Sequence, residues 1–435
     1  MNAVVICLDT VRFDTFWMVE RTGLEDEFSS WAKRAIRFER AVAPSPWTLP
    51  SVASLLTGRY PNAHGAGVYG DSGDHLNTRL PAPLSPDVQT LPELLRLRGY
   101  RAVGFVDQSF FHPKFGLVRG FERVGLQVGR EKLASAAESW LRATVAAGST
   151  TPFLLYLHFL DAHRHHMKSE EEILSRWETV PERVGEAAIE TAPGDLCAAP
   201  DANWCRAYQV YAHSIWELRA SLVQILERLQ SLALLDRTVV VVYSDHGEEF
   251  ADHRAEQVRR GTDSRGIHGV GHGQSLYQEL LHVPLLAWHP DRPAQRIDAV
   301  VNLVDVAPTL AAWLGERDLG SEWDGQSLAE PERLDAARTV FASEVAFGPV
   351  ETAAFRGNWK RVVRTEPEER LLFDLSADPR EKDPVTRPEI EAELDGLIDD
   401  YRANARPPGP GVMELQKAEL QALQALGYVG DVEAE

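Results

Sequence analysis

Four stretches of this chain carry side chains whose types and spacing could do chemistry together. Asp9 ends the apolar run Ala3-Val-Val-Ile-Cys-Leu8, and Asp245-His246-Gly247 follows Thr238 and four valines. A carboxylate and an imidazole at strand ends form a mixed oxygen and nitrogen donor set that suits Zn, Mn or Mg-type ions. An isolated Asp-His-Gly fits a capping aspartate beside a structural histidine as well. The third stretch is Ser45-Pro-Trp-Thr48-Leu-Pro-Ser51, where Thr48 stands at the start of a helix. A hydroxyl there can simply cap the helix, or it can sit with free N–H groups in a positive field that holds a phosphate or sulfate. The fourth is histidine-rich: His158, His163, His165 and His166 lie around Asp161, and His268 and His272 lie among glycines. One histidine is usually structural, but two such clusters point to a site.

Positioning these groups requires a frame. Continuous apolar runs at 3–8, 101–106, 153–159, 238–243 and 283–288 read as strands buried on both faces. Helix-like stretches at 49–56, 90–98, 131–147, 204–229 and 304–314 lie between and after them. The alternation predicts an α/β fold: a large, mainly parallel sheet sandwiched by helices. Ligands of such sheets bind beyond the carboxyl ends of the strands, where Asp9, Asp161 and Asp245 would meet. From about residue 336 the pattern changes to short strands at 338–345, 359–364 and 370–375. A helix follows at 388–403, then the breaker Pro407-Pro-Gly-Pro-Gly411 and a helical end at 413–426. The expected division is a catalytic α/β domain over 1–335 and a small C-terminal α+β subdomain over 336–435. Residues 169–203 read as polar and irregular, and 164–205 as an insertion or lid.

Composition bounds the partners. Sixty-five acidic against 45 basic residues give a formal net charge of −20. That field opposes sequence-independent binding to nucleic acid or to anionic membranes. An anionic small-molecule substrate would therefore need a site made locally positive. No run approaches the roughly 20 apolar residues of a membrane helix. The first strand begins at about Asn2 without a preceding basic region or cleavage site, so the expectation is a cytoplasmic protein. Cys7 reads as a buried small hydrophobe, and Cys197 and Cys205 as reduced thiols rather than a local pair. The pattern is compatible with a homo-oligomer and specifies none.

Taken together, these stretches resemble the sulfatase branch of the alkaline phosphatase superfamily over nearly the whole chain. Leu8-Asp9-Thr10-Val-Arg12 is similar to that family's opening metal-ligand strand. Thr48 to Gly58 has the spacing of its nucleophile signature, with Tyr60-Pro61 and His64-Gly65 following. Asp245-His246-Gly247 resembles its second ligand pair, and His272 falls where the family has a Lys or His that touches the substrate anion. Asn302 to Leu310, Asp324-Gly325 and Phe373-Asp374-Leu375 are further landmarks. The resemblance implies one divalent ion (Mn, Zn, Ca or Mg) held by Asp9, Asp245 and His246 and touching Thr48. A second ion on Asp161, His165 and His272 is the less favoured alternative.

Three departures bear on activity. Sulfatases of that branch oxidise the signature cysteine or serine to formylglycine, which Thr48 cannot become. The signature arginine is Val52, and the second N-terminal aspartate is Thr10. The chain is thus similar to relatives that use a threonine alkoxide on phosphate diesters or phosphonate-type esters. The expected mechanism is attack by Thr48, with His163 and His272 stabilising charge and the departing oxygen. Water or a second alcohol then takes the group from the threonyl ester. Arg59 is assigned either to loop anchoring or to anion binding. The alternatives are a sulfuric ester hydrolase working without formylglycine and a pseudoenzyme that only binds an anion.

Overall fold

The computed structural model describes residues 1–68, 81–165, 169–199, 202–260, 263, 265–319, 322–335, 337–365 and 368–405, with 416, 421, 423, 424 and 428 beyond. The side chains at 164, 165 and 260 lie outside that description. The main sheet has eight strands: β1 (Asn2–Leu8), β2 (Ile36–Val42), β3 (Arg101–Val106), β4 (Arg123–Leu126), β5 (Phe153–Phe159), β6 (Thr238–Tyr243), β7 (His282–Trp288) and β8 (Gln295–Asn302). Their order is β8-β2-β7-β6-β1-β5-β3-β4. β7 runs antiparallel to both its neighbours, and every other pairing is parallel.

Helices cover both faces, as the unbroken apolar runs require. In β1 the odd residues Ala3, Val5 and Cys7 join the core under α1 (Thr48–Thr57) and α2 (Leu91–Leu97). The even residues Val4, Ile6 and Leu8 join the core under α3 (Arg130–Ala146) and α4 (Asn203–Ser231). This period of two puts Asp9 on the α1 side. α5 (Val306–Trp313) completes that layer.

The C-terminal unit is an antiparallel meander of β9 (Thr339–Ala342), β10 (Glu351–Arg356), β11 (Trp359–Thr365) and β12 (Glu368–Asp374). One face packs on α6 (Pro388–Ala403) through Leu394 and Ile398. The other contributes Val340, Ala353, Phe355, Val362 and Phe373 to the core under α1. The expected α+β subdomain is therefore present. The helical end expected over 413–426 falls largely outside the described residues.

Two expectations are corrected. Residues 169–199 are not irregular: they contain helices Glu170–Trp177 and Glu182–Thr191. Ser169 and Glu172 form a capping box on the first, and Val184, Ala187 and Ala188 bury the second. The many charged residues hid a short amphipathic pattern. Cys197 and Cys205 are joined as a disulfide, with Cα atoms 4.9 Å apart. The helix start at Asn203 brings the two together across eight residues. Cys7 is free and buried, as expected.

Candidate active site

β5, β1 and β6 are adjacent and parallel, so their carboxyl ends open on one edge of the sheet. Asp9 continues β1 for one residue, its N–H donating to Phe159 O (2.9 Å). Thr10 then turns with φ +60°, a conformation that costs a β-branched residue energy and is typical of functional turns. The Thr10 hydroxyl donates to Asp9 O at 2.7 Å, and its N–H donates to Asp245 Oδ1 at 3.3 Å. Thr10 thus contributes backbone where the family pattern has a second carboxylate.

Asp9, Asp245 and His246 are each fully buried. Asp9 Oδ2 accepts from His158 Nε2 (2.8 Å) and Gln108 Nε2 (2.9 Å). Asp245 Oδ1 accepts from the N–H of His246 at 3.0 Å. The other oxygens, Asp9 Oδ1 and Asp245 Oδ2, have no hydrogen-bond partner among the described residues. His246 Nδ1 donates to Gly247 O (2.9 Å), which leaves the Nε2 lone pair facing them, 3.8 Å from Asp9 Oδ1 and 3.5 Å from Asp245 Oδ2. One donor atom from each residue lies within 4.8 Å of the others. Buried carboxylate oxygens without partners are costly, and a cation is the natural partner for two of them beside an imidazole. These three residues fit a divalent ion.

The electrostatics agree. Burial raises the Asp245 pKa, and the charge of Asp9 adds to this, pushing it up to about 6. For Asp9, burial acts in the same direction but is outweighed by His158, with His163 and His246 helping, so its carboxyl stays well below the usual range. Without a cation the pair cannot comfortably carry two charges.

Thr48 is not a cap. Trp47 takes the N-cap position in extended conformation with no side-chain cap, and Thr48 is the first helical residue of α1. Its Oγ1, fully buried, lies 3.2 Å from His246 Nε2 and 2.8 Å from the hydroxyl of Tyr428. Ser51, one turn on, donates to Asp245 O at 2.6 Å and ties the helix to the ligand loop.

His163 and His272 stand across from this group. Their rings are 4.9 Å apart, and that of His272 is 4.4 Å from His246. His272 Nδ1 is 3.1 Å from Glu248 Oε2, and its Nε2 is 3.3 Å from the Tyr428 hydroxyl. Burial lowers the His163 pKa to about 3, with Asp9 pulling the other way, so the ring is neutral.

One sequence assignment is not brought to this site, and another falls partly outside the described residues. Arg59 lies past the far end of α1 and pairs with Glu322 at 3.2 Å, which fits the loop-anchoring role rather than the anion-binding one. Asp161 Oδ1 stands 3.7 Å from Arg130 Nη1, and the His165 side chain lies outside the described residues. Among the described residues, Asp161 and His272 form no ion-holding group. A Cys7, His158 and Asp245 group is also close enough, but His158 Nε2 is already spent on Asp9.

Sequence reasoning placed His158 in a candidate cluster without giving it a role, and missed Gln108, Glu248 and Tyr428. Gln108 sits two residues past β3, so the strand-end rule that found Asp9 reaches it as well. Tyr428, 380 residues from Thr48, left no comparable signal.

Comparison with known proteins agrees with this geometry. The Sulfatase family model matches residues 1–316. Arylsulfatase K of Bos taurus is 26% identical over 340 residues, covering 68% of this chain and 59% of that protein. Steryl-sulfatase of Rattus norvegicus is 26% identical over 313 residues, covering 63% and 48%. The chain thus spans about half to three fifths of the length of these curated relatives. Among solved structures, a 2-O GAG sulfatase superposes with TM-score 0.70 at 18% identity, covering 93% of this chain and 92% of that one. Phosphonate monoester hydrolase from Silicibacter pomeroyi gives TM-score 0.65 at 17% identity, covering 93% and 96%. With a family model covering well over half its length, the chain belongs to the sulfatase family.

Proposed function

We propose that this protein is a divalent-cation-dependent hydrolase of phosphate-diester or phosphonate-type esters that works through Thr48. The observation that carries the reading is the pair of partnerless oxygens, Asp9 Oδ1 and Asp245 Oδ2, beside His246 Nε2 and the Thr48 hydroxyl. A cation bound by these three residues would supply the positive charge that favours the ionised hydroxyl and offsets the charge of the substrate. The chain's own groups then account for the rest. Thr48 Oγ1 forms a bond to phosphorus as the bond to the alcohol oxygen breaks in line. The departing alcohol oxygen takes up the proton that the Thr48 hydroxyl releases, on the side where His163 and His272 stand. Neutral His163 donates one hydrogen bond to a non-bridging oxygen. Glu248 holds the His272 ring in orientation through Nδ1. Water, or a second alcohol, then takes the group from the threonyl ester.

A second reading, sulfuric ester hydrolysis without formylglycine, is supported by the family model and by relatives described as sulfatases. The shared tetrahedral anion makes the two chemistries neighbours. An idle anion-binding site is disfavoured, because two unsatisfied buried carboxylate oxygens would be kept at a cost without use. The test is a panel of 4-nitrophenyl sulfate, phosphate, phosphodiester and phosphonate esters with Mn, Zn or Ca. The preferred reading expects the diester or phosphonate to turn over fastest. Thr48→Ala should then lower kcat by more than ~100-fold, and smaller losses would argue against a covalent step.

A further inference from the structure

The surroundings treat the two ligand carboxylates alike. Each has one oxygen that takes two N–H donors and one that takes none among the described residues. Asp245 Oδ1 is filled by backbone, the N–H of Thr10 (3.3 Å) and that of His246 (3.0 Å). Asp9 Oδ2 is filled by side chains, His158 Nε2 from β5 (2.8 Å) and Gln108 Nε2 from the loop after β3 (2.9 Å). Both side chains are themselves held. His158 Nδ1 lies 3.1 Å from the Tyr156 hydroxyl, which is 2.9 Å from that of Tyr243, and Gln108 Oε1 accepts the Phe110 N–H at 3.4 Å. Asp9, Asp245 and His158 have no exposed surface, and Gln108 has 1%.

A carboxylate oxygen that accepts two N–H donors has no lone pair left for a cation. Turning either carboxylate to grip an ion through both oxygens would strand buried donors, which is unfavourable. Each aspartate therefore offers one oxygen only. With His246 Nε2 and the Thr48 hydroxyl, these residues present three oxygens and one nitrogen. That is a small, mixed set. Calcium takes about six to eight oxygen ligands, often with both oxygens of a carboxylate. Zinc is satisfied by about four ligands and accepts imidazole readily.

We propose that His158 and Gln108 set the metal preference of this site: by confining Asp9 to one oxygen, they make it select zinc against calcium. The inference rests on the reading of Asp9, Asp245 and His246 as a cation site. Both are positioning residues, because they act on the ion only through Asp9. The donors to Asp245 are backbone and stay in place in any variant, whereas the donors to Asp9 can be removed one side chain at a time. Without them Asp9 Oδ2 becomes available, and the site gains an oxygen of the kind calcium needs. Zinc gains little from that oxygen and loses the fixed aim of Asp9 Oδ1.

The test uses the whole chain, stripped of metal with EDTA, with Gln108→Met and His158→Phe beside the wild type. Both substitutions keep bulk and delete the N–H donor. Dissociation constants for zinc and for calcium are read by calorimetry, and folding is read by thermal melting. The wild type should bind zinc more tightly than calcium. Each variant should lower the ratio of zinc to calcium affinity by about tenfold or more. Lost packing alone would weaken both ions by the same factor, so an unchanged ratio overturns the proposal whatever the absolute affinities. Gln108 lies outside every strand and helix, so Gln108→Met carries the test if His158→Phe fails to fold. A wild type that binds calcium as tightly as zinc overturns the preference and leaves the cation site standing. Binding of neither ion by the wild type overturns the preference and the cation-site reading together.

Discussion

Two buried clusters of charge lie within this molecule, and they are built on opposite rules. At the seam between the main sheet and the C-terminal unit, most acids face a base, although Glu249 is held by Gln257 and Gln274 instead. Arg12 pairs with Asp14 (2.8 Å) and Asp252 (2.7 Å), His253 with Glu279 (2.7 Å), and Lys360 with Glu381 (2.6 Å). Arg364 gathers Glu351, Glu369 and Glu256. At the strand ends, by contrast, Asp9 and Asp245 turn toward each other with one oxygen each left over. The first arrangement is largely neutralised by its own bases. The second is complete only when something positive enters. Asp9 and Asp245 are fully buried, whereas the Asp14 and Glu369 side chains are 36% and 32% exposed, so the strand-end acids are both more deeply hidden and less neutralised, and that combination marks a site.

Breaking one pair in the seam should give the largest change in stability. Lys360→Met leaves Glu381 buried and unpaired, with both side chains fully enclosed. A loss of about 3–5 kcal/mol in a denaturant titration is expected. The double change Lys360→Met with Glu381→Leu should recover most of it. If the single change were neutral, the seam would not be the closed network described here.

The matching change at the site should have the opposite sign. Folding raises the Asp245 pKa from 3.8 to about 6 through burial and Asp9. Between those values the folded state holds a proton that the unfolded state has released. The metal-free protein therefore loses stability as pH rises across that window. Asp245→Asn removes the penalty, so the EDTA-treated variant should melt higher than wild type at pH 7, by on the order of 1–3 kcal/mol. Mn or Zn should raise the melting temperature of wild type and fail to do so for the variant. A variant that melts lower without metal would contradict the like-charge account.

His64 tests the scaffold behind the nucleophile. The Ala66 N–H donates to Nδ1 (3.0 Å), so Nε2 carries the proton and faces Ser54 Oγ (2.8 Å) and Pro50 O (3.2 Å) on α1. Burial lowers its pKa to about 3. The unfolded chain takes up a proton below pH 6.5 that the folded chain refuses, so stability falls as pH drops toward 3. One such histidine contributes a slope of up to about 1.4 kcal/mol per pH unit. His64→Gln should flatten the acid limb of stability against pH by one proton, as read by denaturant titrations at several pH values.

The same contrast explains what could be read from the sequence. β1 and β6 were legible because strands buried on both faces are unbroken apolar runs, and their ends then name Asp9, Asp245 and His246. β2 was not legible, because Arg37, Glu39 and Arg40 interrupt it. Those charges are accommodated locally: Arg37 pairs with Glu20 and Glu39 and lies 3.4 Å over the Trp17 ring. Thr48 was ambiguous between a cap and a chemical role because both need a hydroxyl at a helix start; the extended Trp47 before it removes only the cap. Tyr428 had no local signature, since what makes it matter is a partner 380 residues away.

Arg59 gives the smallest expected effect and the sharpest limit on reasoning from motif proximity. It stands eleven residues past Thr48, and at about 1.5 Å of rise per residue a helix of that length would carry it roughly 16 Å away. Gly58 ends α1 with φ +66°, a left-handed turn that sends the chain outward under Trp323, and Asp324 accepts the Tyr60 N–H at 2.9 Å. Arg59 then pairs with Glu322, whose side chain is 80% exposed. Pairs of this kind are screened by water and contribute at most about 1 kcal/mol. Arg59→Ala should therefore leave kcat/KM within about twofold and stability nearly unchanged. A tenfold fall in kcat/KM at unchanged stability would return Arg59 to the anion. It would also mean that a mostly buried guanidinium paired with an exposed carboxylate can serve the reaction from beyond the far end of α1.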